Sequence, residues 1–335
     1  MKKNKKKLTY IVLVFCLNIF ILTACSCSFP GLGGSAEDND IVIAGGNTTE
    51  RQIVSEIVKQ MIQHYLPESK VHIINNLGST PIIYNSLMNG DTNVAGVMYT
   101  GTSLTGELGL DPLESAEATM EAVVKGYYER FDIVWFPSYG FENTYTFMLT
   151  KETQEKYNLY NTSDLEQYAD KLRVGVDSAW LDRPGKDGYQ GFLDVYEFGF
   201  DKLYSMDIGL VYEAIASDNL DIALGYSTDG RISSYDLVML EDDKDLFPPY
   251  ETSPVVTLDL LKQKPELEWI LLKLKGQISL QTMQDLNNAA DELKTEPYRV
   301  AEIFLTDNNF FEEVAKSSLQ EIPLYRNFDL DFEQD

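Results

Sequence analysis

The 335-residue chain has only three cysteines, two histidines and three tryptophans, and it is short of positive charge, with 27 basic against 53 acidic residues. The cysteines are Cys16, Cys25 and Cys27, so nothing after residue 27 can belong to a disulfide framework. His64 falls on the polar edge of a helical pattern and His72 beside Ile73 in a strand pattern, both surface positions, so zinc and iron lack ligands. The formal net charge of −26 repels polyanions, and five of the basic residues stand in the first seven positions, which excludes nucleic acid as a partner. There is no G-x-S-x-G, no phosphate loop and no dinucleotide fingerprint. The densest carboxylate run, Glu241, Asp242, Asp243 and Asp245, lacks calcium-loop spacing and reads as a solvated loop. With no nucleophile, base or metal set in view, the chain is expected not to be an enzyme and to need no cofactor.

Long apolar runs are also missing, save one. Lys2, Lys3, Lys5, Lys6 and Lys7 precede the stretch Leu8–Ala24, the layout of an export signal over residues 1–24. Interrupted by Asn18, it is shorter than the ~20 apolar residues a membrane span needs. It ends in Leu22-Thr23-Ala24-Cys25, which resembles the bacterial lipobox, whose cysteine takes a diacylglyceryl group. Lipidation is therefore expected at Cys25, anchoring the body on the extracytoplasmic face of the cell membrane through two acyl chains. Residues 25–40, with Pro30, Gly31, Gly33 and Gly34, have nothing periodic to bury and read as a flexible spacer.

From Ile41 the pattern alternates between strand and helix. Ile41–Ala44 is a strand, Gly45-Gly46 a turn, and Ile53, Val54, Ile57, Val58, Met61, Ile62 and Tyr65 recur at helical spacing, with Thr49 and Gln52 as a capping box. Val71–Ile74, Val94–Met98, Leu172–Val176 and Asp221–Gly225 are further strands, with helices over Pro81–Met88 and Gly209–Ser217. This rhythm predicts an α/β fold with a largely parallel sheet. From Pro265 the pattern turns helical, and the acidic end Asp329–Asp335 is expected to fray.

What the chain has in plenty is tyrosine, 20 residues. Tyr99, Tyr145, Tyr226 and Tyr250 stand at strand ends beside turn residues, where an open α/β sheet places its ligand crevice. Their settings, together with Gly78-Ser79-Thr80 and the stretch from Arg183 to Gly188-Tyr189, are Tyr99-Thr100-Gly101-Thr102, Asn143-Thr144-Tyr145, Gly225-Tyr226-Ser227-Thr228-Asp229 and Phe247-Pro248-Pro249-Tyr250. From about Ile41 to Leu305 these ordered segments resemble the substrate-binding lipoproteins of osmoprotectant ABC importers, which bind glycine betaine, carnitine, choline and related quaternary amines.

The resemblance implies a two-lobed, type II periplasmic-binding-protein-like fold with two crossover segments and a helical C-terminal part. It divides the chain into lobe 1 (41–144 plus 251–306), lobe 2 (145–250) and a C-terminal extension (307–335). It implies an aromatic box of Tyr99, Tyr145, Tyr226 and Tyr250 around a trimethylammonium head, with Thr102 and Arg183 toward a carboxylate end. It also implies a monomer that passes its ligand to ABC permease subunits. Such a box suits a cation with no N–H to donate, which is best met by aromatic faces.

One departure stands out. Where many relatives read Thr-Glu-Gln at the start of the first helix, this chain reads Thr49-Glu50-Arg51 followed by Gln52. Facing the cleft, Arg51 would favour carboxylated ligands over choline. Two rival roles fit the same residues: a surface lipoprotein that senses choline or hands it over, and a transferase on the same fold.

Overall fold

The structure, a computed structural model, describes residues 40–330 apart from residues 114, 184, 185 and 314. The export signal, Cys25, the spacer up to residue 39 and the last five residues lie outside the described residues. The strands are β1 (Ile41–Gly46), β2 (Val71–Leu77), β3 (Val94–Tyr99), β4 (Ile133–Trp135), β5 (Tyr145–Thr150), β6 (Arg173–Asp177), β7 (Lys202–Met206), β8 (Ile222–Tyr226), β9 (Leu237–Met239) and β10 (Thr252–Thr257). They form two five-stranded sheets, ordered β2-β1-β3-β10-β4 and β7-β6-β8-β5-β9. The central strands β1, β3 and β8 are near-continuous apolar runs, as expected where helices cover both faces of a sheet.

The expected largely parallel sheet is corrected by the pairing. β1 runs parallel to β2 and β3, and β6 to β7 and β8, but β10 lies antiparallel to β3 and β4, and β5 antiparallel to β8 and β9. The reason is connectivity. β5 and β10 enter their sheets from the segments that cross between the two lobes, without the helical return that a parallel neighbour requires. These crossovers run side by side: Glu142 bridges Glu251, and the Asn143 N–H donates to the Tyr250 carbonyl at 3.2 Å.

The first helix spans Thr49–Tyr65, and its cap is Thr48, one residue before the expected Thr49. Thr48 is extended, with φ −91° and ψ 149°, and its Oγ1 accepts from the Arg51 N–H at 3.4 Å. Thr49 instead turns its hydroxyl to Asp291, donating to Oδ1 at 2.6 Å. Ile53, Val54, Ile57, Val58, Met61 and Ile62 are buried against the first sheet, as their spacing predicts.

Beyond Pro265 come the helices Glu266–Leu272, Leu280–Asp291 and Pro297–Asp307, all contributing to the core of the first sheet. The chain then returns to that core. Leu319, Tyr325 and Leu330 are buried in it, and the Tyr325 hydroxyl donates to the Trp135 carbonyl at 2.8 Å. Fraying from Asp329 is therefore corrected for its first two residues, since the Asp329 N–H donates to the Tyr128 hydroxyl at 2.9 Å. The acidic run is also more than a solvated loop: Asp242 accepts from the Tyr196 hydroxyl and the Phe247 N–H, while Asp243 accepts from Ser163. His64 and His72 are exposed. No helix among the described residues is long and apolar enough to cross a membrane.

Candidate functional site

Chain segments leaving the C-terminal ends of β1, β3, β6 and β8 converge between the two sheets, where open α/β sheets hold ligands. A cavity of about 530 Å³ opens there, a size that suits a small molecule. Its lining includes Arg51, Tyr99, Thr102, Tyr145, Arg183, Tyr226 and Tyr250, so the structure brings all seven sequence-predicted site residues around one space. A larger cavity of about 710 Å³ adjoins it, but its lining holds one tyrosine, and four of its five charged residues are carboxylates (Glu142, Asp242, Asp245 and Glu251).

Tyr145 opens β5 and Tyr226 closes β8, and the antiparallel register sets them opposite one another. Their rings stack with centroids 4.8 Å apart and an interplanar angle of 25°, and their hydroxyls are 3.2 Å apart. Phe247 tilts against Tyr145 at 6.0 Å and also lines the space. The Tyr226 backbone is pinned by the buried Tyr212, whose hydroxyl accepts from its N–H at 2.7 Å. Tyr250 lies on the returning crossover, against the turn after β3. A Cβ at Gly101 would come within 2.8 Å of the Pro249 carbonyl and 2.9 Å of the Tyr250 ring, so glycine is what lets that ring lie there.

On the first lobe, Glu50 and Arg51 project from the opening turn of the first helix and are 4% and 6% exposed, which rules out a solvated Arg51. The Arg51 guanidinium lies 4.9 Å from the Tyr99 ring centroid, and its Nη2 donates to Thr80 Oγ1 at 2.9 Å. Its Nη1 is buried without a partner. Glu50 Oε1 accepts from the Tyr99 hydroxyl at 2.6 Å and from Asn143 Nδ2 at 3.1 Å, while Oε2 has no partner. On the opposite side the half-exposed Arg183 is committed in part to Asp187, at 3.0 Å, and to the Tyr250 hydroxyl, at 3.3 Å.

Burial pushes the Tyr99 and Tyr145 phenols far above their usual value, with Glu50 adding to the rise at Tyr99 and with Tyr226 and Asp177 adding at Tyr145. Burial also pushes Tyr250 up to about 12, with Asp187 reinforcing the shift and Arg183 opposing it. All three therefore remain O–H donors at neutral pH.

Sequence reasoning missed Glu50, Asp177, Asp187 and Phe247. Among 53 acidic residues nothing in the sequence singles out three, and their one signal is position: Glu50 beside the departing Arg51, Asp177 at a strand end and Asp187 within the Arg183–Tyr189 stretch. Among the described residues no cluster of histidine, cysteine and carboxylates is arranged to hold a metal ion.

Comparison with known proteins assigns the family. Residues 39–307 match the substrate-binding domain of the ABC-type glycine betaine transport system. The chain is 46% identical over 310 residues to the carnitine transport binding protein OpuCC of Listeria monocytogenes, covering 92% of this chain and 99% of that protein. A crystal structure of a glycine betaine/carnitine/choline ABC transporter aligns with a TM-score of 0.79 and 47% identity, over 82% of this chain and 100% of that one. Apo YehZ from Escherichia coli, at 22% identity, shares the fold with a TM-score of 0.70. The chain thus belongs to the family of substrate-binding domains of ABC-type glycine betaine transport systems.

Proposed function

We propose that this protein is the extracytoplasmic solute-binding component of an ABC importer, capturing quaternary ammonium compatible solutes such as glycine betaine, carnitine and choline and delivering them to the permease. The observation that carries this reading is the gathering of Tyr99, Tyr145, Tyr226 and Tyr250 with Arg51, Arg183 and Thr102 around one small cavity between the sheets. Four tyrosine faces at roughly 0.5 to 2 kcal/mol each supply on the order of 2 to 8 kcal/mol, whereas micromolar affinity needs about 8. The remainder falls to the carboxylate end, where the unpartnered Nη1 of Arg51 offers a buried donor. Arg183 serves the same end less strongly because it already shares charge with Asp187. Delivery is a transport step with no bond made or broken, in keeping with relatives that are binding proteins.

The body acts as a monomer of two lobes, 41–144 with 251–306 and 145–250, closing by a hinge at the paired crossovers. Phe310, Leu319, Tyr325 and Leu330 reinforce the core of the first lobe. Cys25 carries the lipid that holds the body on the outer face of the membrane, and Cys25→Ala should release it into the medium. The ligand reading is tested by calorimetric titration of the purified full-length protein with glycine betaine, carnitine, choline and proline. Micromolar or tighter binding of at least one trimethylammonium compound, with proline weaker, is expected; binding of none of them overturns it.

A further inference from the structure

Three of the four box tyrosines donate their hydroxyls to carboxylates. Tyr99 donates to Glu50 at 2.6 Å, Tyr145 to Asp177 at 2.8 Å and Tyr250 to Asp187 at 3.2 Å. Tyr226 joins through the Tyr145 hydroxyl, 3.2 Å away. These three carboxylates come from three separate places: the first turn of the Thr49–Tyr65 helix, the end of β6 and the loop after it. They are held in place: Asp177, 5% exposed, also accepts the Ala179 N–H, Glu50, 4% exposed, accepts Asn143, and Asp187 is gripped by Arg183.

We infer that Glu50, Asp177 and Asp187, of which Glu50 and Asp187 also reach the cavity wall, form an anionic layer around the tyrosine box that selects for a permanent positive charge through the rings. The inference rests on the box binding a trimethylammonium group. Such a cation has no hydrogen to donate, so a carboxylate placed directly against it gains no hydrogen bond. Placed behind the ring, the carboxylate accepts the phenol O–H, draws its proton and makes the ring face more negative. It also contributes its own charge through a site of low effective dielectric, where a unit charge several ångströms away still counts. The same layer offsets Arg51, whose guanidinium already lies over Tyr99 and would otherwise repel an incoming cation. Glu50, Asp177 and Asp187 act through the rings and are positioning residues.

The distinguishing probe is a pair of isosteres that differ by one charge: choline against neutral 3,3-dimethylbutan-1-ol, and glycine betaine against 3,3-dimethylbutyrate. Glu50→Gln, Asp177→Asn and Asp187→Asn keep an oxygen to accept the phenol and remove the charge. Each variant of the full-length protein is expected to bind choline and betaine about tenfold more weakly, with the neutral-head isosteres altered less than twofold. If both members of a pair weaken equally, the carboxylates only hold the rings in place and the inference fails. Should one buried variant fold poorly by circular dichroism, Asp187→Asn, at the least buried of the three, decides the question. If the wild-type protein binds neither choline nor betaine nor carnitine, the box reading itself falls, an outcome separate from equal weakening.

Discussion

At the scale of single residues, the four tyrosines are not equivalent. Tyr226 is 37% exposed at the mouth of the cavity, and its hydroxyl meets another phenol, not a carboxylate. Tyr226→Phe should therefore keep most of the affinity for betaine, while Tyr226→Ala should cost about 1 to 2 kcal/mol, as measured by calorimetry. Equal losses would show that the hydroxyl, not the ring face, is the contact. Tyr99→Phe should fall between wild type and alanine, because it leaves Glu50 buried and short of a donor. Arg51 is the residue we propose sets ligand class. Its buried, unpartnered Nη1 is suited to a carboxylate, and its charge over Tyr99 works against a ligand that is only a cation. Arg51→Gln should thus narrow or reverse the preference for betaine and carnitine over choline in competition titrations, and an unchanged ranking would remove Arg51 from the site. Arg183→Ala should weaken the zwitterions more than choline, though by less, since Asp187 already shares its charge.

At the scale of elements, the crossovers carry a built-in charge conflict. Glu142 and Glu251 face each other across the β-bridge that pairs the crossovers, and burial raises both carboxyls, with Glu142 raising Glu251 further. Glu251 and Glu142 also share their cavity with Asp242, Asp245 and Lys275, so the surroundings are mostly negative. A carboxyl raised on folding stabilises the native state most below its unfolded value, and that contribution is lost as pH rises through the folded one. Thermal stability should therefore rise as pH falls from neutral toward the upper carboxylate range. Glu251→Gln should raise stability at pH 7 and flatten that slope; an unchanged slope in a melting series would show that the pair is solvated. The same elements show what the sequence could and could not reveal. The first helix was legible because its burial follows a helical period, and β1, β3 and β8 because each is a short, near-continuous apolar run. β4 and β9 are three residues each, too short for any period, and the antiparallel placing of β5 and β10 depends on the crossovers, which no local pattern encodes. The four tyrosines gathered around the cavity were marked by the family resemblance that their turn motifs carry, whereas the carboxylates they donate to were hidden in an acidic background. Leu319, Tyr325 and Leu330 escaped notice because short 3-10 turns space them without helical regularity.

At the scale of the whole molecule, a second contact besides the crossovers joins the lobes. The Leu280–Asp291 helix is anchored in the first lobe by the fully buried Met283, yet it also reaches the loop after β8. Gln284 Nε2 donates to the Ser227 carbonyl at 2.7 Å and Asn287 Nδ2 to the Thr228 carbonyl at 2.8 Å. The Tyr226 end of the box is thereby tied to the first lobe. Gly230 makes the approach possible, for a Cβ there would sit 2.3 Å from the Asn288 backbone nitrogen. That nitrogen belongs to a helix and cannot step aside unless the helix moves, so Gly230→Val should hold the second lobe away from the first. Each sheet keeps its own hydrophobic core, so folding should survive the change. The expected result is betaine affinity reduced about tenfold or more, equivalent to roughly 1.4 kcal/mol. It should be accompanied by a larger radius of gyration in solution scattering and little change in the ligand-free melting temperature. Wild-type affinity and dimensions in this variant would mean that the tyrosines on the two lobes meet the ligand without this contact, leaving the paired crossovers alone to set how far the cleft closes.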